Sequence, residues 1–166
     1  MLAEERVDTY SMFKKNISLF YDDLLSNYDT FSSYLCNIAS SFSLVSNMNK
    51  PYAQYPPAFE HHDAVKMLDP FLERYQAGIK EWPGTTTKDN HKILLVYRLC
   101  RESKKLLREL PNFLLPQESN LPEDICFYRG KQCCFATVSH ERMAFFSGAT
   151  NEDITFFKNN KIRFYD

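Results

Sequence analysis

Glycine is nearly missing from this chain: four residues in 166. None belongs to a G-x-G-x-x-G or Walker-type pattern. Loops that cradle phosphates need glycine where the backbone approaches the ligand, so the familiar nucleotide-binding modes are excluded. Long apolar runs are missing too. "ILLV" at 93–96 is typical of those present, far short of the roughly 20 residues that cross a bilayer. Glu4, Glu5 and Arg6 stand where a secretory leader would carry its apolar core. Charge of one sign is missing as well: the formal net charge of −1 argues against broad attraction to nucleic acid or an anionic membrane. There is no G-x-S-x-G elbow and no H-E-x-x-H pair. The five cysteines are odd in number and share no repeated spacing, which fits reduced thiols in the cytoplasm better than a disulfide framework. Asn16-Ile17-Ser18 matches a glycosylation acceptor, but without a leader the match is incidental.

Aromatic residues are plentiful, at 15%, enough for a well-filled core and for a protein-binding face. Their spacing reads first as helix. Tyr10, Phe13, Ile17, Phe20 and Leu24 recur three and four apart and predict a helix over 3–26. Asp29 or Thr30 can cap a second, with Phe31, Tyr34, Leu35, Ile38, Phe42 and Val45 as its stripe. Met67, Leu68, Phe71, Leu72, Tyr75 and Ile79 suggest a third, kinked or restarted at Pro70. A fourth spans about 87–110, with Ile93, Tyr97, Cys100, Leu107 and Leu110 inward. These four stripes predict an α+β protein with an antiparallel four-helix bundle over residues 1–110. A connector at 111–122 follows. Residues 123–166 then form a small antiparallel sheet of about three strands with a short helix, packed on the bundle as one continuous unit. Thr150 and Asp153 form a capping box for that last helix.

The C-terminal stretch "GKQCCFATVSHERMAFFSGAT" (130–150) concentrates reactive residues. A two-residue turn at Gly130-Lys131 pairs Tyr128 with Cys133, Phe127 with Cys134 and Ile125 with Ala136. A second turn at His140-Glu141 pairs Val138 with Met143 and Ala136 with Phe145. Side chains alternate across a strand, so Cys133 and Cys134 point to opposite faces and His140 and Glu141 sit at a tip. A shared metal site is therefore disfavoured. Cys133 with a distant His91 is the candidate nucleophile–base pair, although no catalytic site is assigned. His61, His62 and Asp63 diverge around any helix that carries them and are metal candidates only if another histidine converges. No cofactor is expected.

Two features suggest binding. From Lys80 to Arg108 there are eight positive and three negative residues, although the whole chain carries −1. Arg98, Arg101, Lys105 and Arg108 recur on one side, either as a stripe for phosphates or an acidic protein, or as a solvated face paired with Asp22 and Asp23. The loop "KPYAQYPPAF" offers Tyr52 and Tyr55 beside entropy-lowering prolines. The expected function is a non-catalytic cytoplasmic protein of inhibitory, immunity or accessory kind, binding another protein that presents an acidic surface, with no membrane contact. The alternatives are an enzyme with a Cys/His centre between bundle and sheet, and nucleic-acid binding through helix 87–110.

Overall fold

The computed structural model describes residues 16–48, 63–119 and 121–166. In chain order the strands are β1 (Asn16–Leu19), β2 (Ser41–Asn47), β3 (Leu72–Ile79), β4 (Glu81–Trp82), β5 (Thr85–Thr86), β6 (Lys92–Arg98), β7 (Glu123–Arg129), β8 (Gln132–Val138), β9 (Met143–Ser147) and β10 (Phe164–Tyr165). The longer helices are α1 (Tyr21–Ser26), α2 (Tyr28–Ile38), α4 (Arg101–Glu109) and α6 (Asn151–Asn159). Single turns form α3 (Asp63–Lys66) and α5 (Pro116–Ser119). Eight strands make one sheet in the order β10-β1-β9-β8-β7-β2-β6-β3, with every pairing antiparallel. The remaining two, β4 and β5, form a separate hairpin.

This architecture overturns the expected N-terminal four-helix bundle. Residues 16–110 supply four of the eight sheet strands, and of the four C-terminal strands β7, β8 and β9 lie inside that sheet and β10 at its edge, rather than in a small lobe. The reason lies in spacing. A residue four positions on returns to one face in a strand as well as in a helix, so Ile93 with Tyr97, or Tyr75 with Ile79, scores for both. Intervening residues decide. Ile93, Leu95 and Tyr97 alternate and are all fully buried, and β-branched and aromatic types favour the extended chain. Ile17 and Leu19 alternate in the same way in β1. Of the four helices predicted for the bundle only α1, α2 and α4 remain as more than a single turn, each much shorter than expected, whereas the predicted C-terminal helix is present as α6. Tyr10 and Phe13, like Tyr52, Tyr55, His61 and His62, lie outside the described residues.

The helices cover one face of the sheet. Phe31 of α2 meets Phe135 of β8 edge-on at 5.1 Å, and Phe157 of α6 meets Phe146 of β9 at 5.2 Å. Leu24, Leu35 and Leu107 join Phe42, Leu95, Ile125 and Phe127 in the same core. Stacked and tilted ring pairs link Tyr97, Phe42 and Phe127 across three adjacent strands. On the opposite face Cys126, Tyr128, Cys133 and Ala136 form one cluster, and Val45, Ile79 and Trp82 another.

A one-residue bulge sets which side chains reach which face. Tyr128 pairs with Cys133 and Arg129 with Gln132, as the turn geometry requires, but Phe127 pairs with Phe135 and Cys126 with Ala136. Cys134 is the extra residue. It stays with Phe135 in the helix-side core, and Cys133 turns to the other face. The expected partners Phe127–Cys134 and Ile125–Ala136 are therefore corrected by one position. Ala136 moves to the face opposite the one expected, away from Phe127. Beyond the bulge, Val138 with Met143 and Ala136 with Phe145 pair as the second turn predicts.

Two buried aspartates fix the connections. Asp124, in left-handed backbone at φ 50°, marks an irregularity between β7 and β2. Its carboxylate accepts from Ser139 N–H and Oγ (both 2.8 Å) and from the Trp82 indole (2.9 Å). That last bond pins the β4–β5 hairpin over the second face. Gly84, at φ 85°, lets the hairpin approach so closely that a Cβ there would stand 3.1 Å from Val138.

Asp153 completes the predicted capping box with Thr150. It also takes a bidentate pair from Arg129 (2.6 and 3.0 Å) and a hydrogen bond from the Tyr34 hydroxyl. Burial alone would raise its pKa, but the bonds from Arg129, Tyr34 and Thr150 outweigh that and hold it below the usual carboxylate range.

These contacts have measurable consequences. Arg129→Ala leaves Asp153 buried without its cation and is expected to cost about 3 kcal/mol in urea denaturation. The Asp153 contribution is complete above the ordinary carboxylate range and is lost as pH falls below about 4. Asp153→Asn should therefore flatten the acid limb of the stability profile. Two buried tyrosines should behave oppositely. The Tyr128 hydroxyl is bonded to Ser43 (2.9 Å), so Tyr128→Phe is expected to destabilise by about 1–2 kcal/mol. The Tyr97 hydroxyl meets no hydrogen-bond partner among the described residues, so Tyr97→Phe should leave stability unchanged or raise it by up to about 1 kcal/mol.

Candidate functional site

α4 carries the basic stripe. The Ser103 hydroxyl fixes its start, accepting the Cys100 N–H (2.8 Å) and donating to the Arg98 carbonyl (2.7 Å). Ser103 and Leu107 are buried beneath the helix, which lies beside α2. At about 100° per residue, Arg101, Lys105 and Arg108 fall within roughly 60° of one another on the opposite side. All three are exposed, as is Arg98 at the end of β6. From Arg101 to Arg108 the stripe runs roughly 10 Å along the helix axis.

The stripe is not neutralised by the acidic residues expected to pair with it. Asp22 binds Arg142 (2.6 Å), and Asp23 binds Arg163 in a two-pronged contact with both distances at 2.9 Å. Among the described residues, the one ion pair on the stripe is Lys105 with Glu109 of the same helix, at 3.9 Å. Pairs of that kind contribute a few tenths of a kcal/mol. Glu102 lies to one side of the stripe, its carboxyl held low by its own backbone N–H and the Cys100 thiol, with Arg101 and Arg98 adding to the effect.

The other sequence candidates are not brought together. Cys133 is level with Ser41 and Arg98 through the pairings of Tyr128. His91 precedes the opposite end of β6, roughly 23 Å away along the strand direction and three strands across. Its backbone N–H bonds the Asp89 carboxylate, and its carbonyl accepts from Met48. Cys133 is buried, and its thiol is pushed well above the ordinary value by its hydrogen bond with Cys126 and by burial. Such a thiol is protonated at neutral pH and a poor nucleophile. Cys134 is raised to about 11, mainly by burial. His140 is exposed beside Glu141 at 3.6 Å. Asp63 opens α3. No group of three or more His, Cys, Asp or Glu residues is placed to hold a metal ion among the described residues.

One feature escaped the sequence reading. An open hollow of about 570 Å³ is lined by Lys158, Lys161, Ile162, Arg163 and Phe164, where α6 turns into β10. Its signal was present in "KNNKIRFYD", which puts three cations within six residues beside aromatics. Compared with family models, with curated proteins and with solved structures, the chain matches none.

The thiol chemistry has a direct check. In the native protein, Cys133 should react with a disulfide reagent only as fast as the fold opens, with no acceleration between pH 6 and 8 beyond that of an ordinary thiol. Rapid labelling with a depressed apparent pKa would restore the nucleophile reading.

Proposed function

We propose that this chain is a non-catalytic protein that binds another protein, of inhibitory, immunity or accessory kind. Its α4 stripe meets an acidic surface on that partner. The observation that carries this reading is the exposed row Arg98, Arg101, Lys105 and Arg108, for which no other element supplies a counter-charge among the described residues. Rows of like charge on a rigid helix speed encounter with a complementary surface and fix its orientation. The acidic residues that could have cancelled the row are committed elsewhere. The buried polar groups support the same reading, because Asp124 and Asp153 are enclosed by hydrogen bonds that hold elements together.

Placement in the cytoplasm belongs to this proposal. Five unpaired cysteines support a reducing compartment, and no helix among the described residues is long and apolar enough to cross a membrane. A protein surface is favoured over nucleic acid because the row is short. Glu102 and Glu109 flank it, and the chain as a whole is slightly negative.

The test is affinity capture from the source cell with the native chain and with an Arg101→Glu/Lys105→Glu variant. The expected result is a specific protein partner whose association slows at least tenfold in the variant and weakens steeply with salt. Equal recovery by both proteins would remove the stripe from the interface. Tight, salt-sensitive binding to DNA or RNA, with no protein captured, would replace this reading by the nucleic-acid one.

A further inference from the structure

The end of α6 holds a side chain where the backbone disfavours one. Ile162 N–H donates to the Phe157 carbonyl (2.9 Å) and Lys161 N–H to the Lys158 carbonyl (3.2 Å). These are the two bonds of a Schellman turn, and Phe157 and Ile162 provide its buried apolar contact. The turn requires one residue in the left-handed region, the position at which glycine is strongly favoured because a Cβ is strained there. This chain places Lys161 there, at φ 56°. A cation is thus kept at the expense of local stability, and it stands on the rim of the hollow.

The hollow has an apolar floor and a basic rim. Ile162 is buried, and Phe164 packs against Phe157 at 6.0 Å. Lys158 and Lys161 are exposed, and neither meets an acidic group among the described residues. Arg163 forms a rigid wall. Its guanidinium is clamped by Asp23 and lies 4.4 Å over the Phe20 ring, so its charge is already offset and the free attraction belongs to the two lysines. Beyond that wall the surface continues through Phe20 and Tyr165, which meet edge-on at 5.6 Å and are 39% and 57% exposed. Exposed Phe, Tyr and Arg beside a pocket are the residue types that anchor protein contacts.

We infer that this hollow is a docking site for an acidic peptide segment, taking one apolar side chain onto Ile162 and Phe164 and carboxylates onto Lys158 and Lys161. Charge complementarity selects an acidic occupant. Openness selects a segment over a small molecule: the described lining comes from the single stretch 158–164, whereas sites for small ligands enclose most of the ligand's surface. The site is separate from the α4 stripe. Arg98 lies on β6, six strands from β10 in the sheet order, roughly 29 Å along the sheet.

The test is a titration of the ¹⁵N-labelled full chain with a blocked hexapeptide, a central Leu-Phe pair flanked by two glutamates on each side. Amide shifts confined to 158–165 and the neighbourhood of Phe20 are expected. Binding should weaken at least fivefold in a Lys158→Glu/Lys161→Glu variant and remain unchanged in Arg101→Glu/Lys105→Glu. Lys161→Gly is expected to raise Tm while weakening the peptide, an outcome that a purely structural lysine would not give. The inference is overturned by an absence of shifts at millimolar peptide, or by equal binding of a lysine-flanked peptide. Loss of binding in the α4 variant also overturns it. Benzoate reproducing the same shifts at equal affinity would assign the hollow to small carboxylates instead.

Discussion

Asp153 cannot be buried without a cation, and much of the helical layer is arranged around that requirement. An isolated carboxylate in an apolar interior is costly enough to neutralise itself or unfold its surroundings. Arg129, the last residue of β7, donates to it from both terminal nitrogens, Nη1 and Nη2, and lies over the Phe146 ring. Tyr34 adds a hydrogen bond from α2, and its ring stacks on Phe156 at 3.7 Å. Strand, helix and helix start are thereby tied at one carboxylate. With the start of α6 fixed, Phe157 is set on Phe146, and the far end of the helix arrives at β10 with its turn and hollow in place.

The chain's ionisable groups divide into two populations with different work to do. Inside, Asp124 and Asp153 are saturated by donors, and Cys133 and Cys134 are held protonated. Outside, the exposed cations of α4 and Lys158 and Lys161 at the end of α6 meet no counter-charge from another element among the described residues. The two basic regions belong to different parts of the sheet, one by β6 and one by β10.

Where the sequence could be read, it was read through local chemistry. The capping box at Thr150 and Asp153, the turn at Gly130 and the pairings next to the two C-terminal turns follow from rules that act over a few residues. The helix-period stripes misled because four-residue recurrences do not distinguish helix from strand. Ile93 and Tyr97 belong to a strand whose identity is set by Leu95 between them and by pairing with β2 and β3. The bulge at Cys134 was invisible for a related reason. Two adjacent cysteines are small enough to sit on either face, so only the burial of Phe135 beneath Phe31 shows that the register slips there. Of the binding candidates, Arg101, Lys105 and Arg108 share one side as expected because they lie within one true helix, whereas Arg98 belongs to β6. The cations of the hollow are visible in "KNNKIRFYD", but their grouping around an apolar floor depends on a left-handed turn at Lys161.

The strand order also shapes how the molecule assembles. β1 lies between β9 and β10, so residues 16–19 find their neighbours more than 120 positions later in the chain. β2 likewise waits for β6 and β7. Neither β1 nor β2 can pair with a strand near it in sequence, which makes the sheet a high-contact-order object. Chains of this kind fold in milliseconds to seconds rather than microseconds, and until β9 and β10 are available, β1 remains an open edge. A nascent chain would therefore carry β1 unpaired until residues 143–165 have been made.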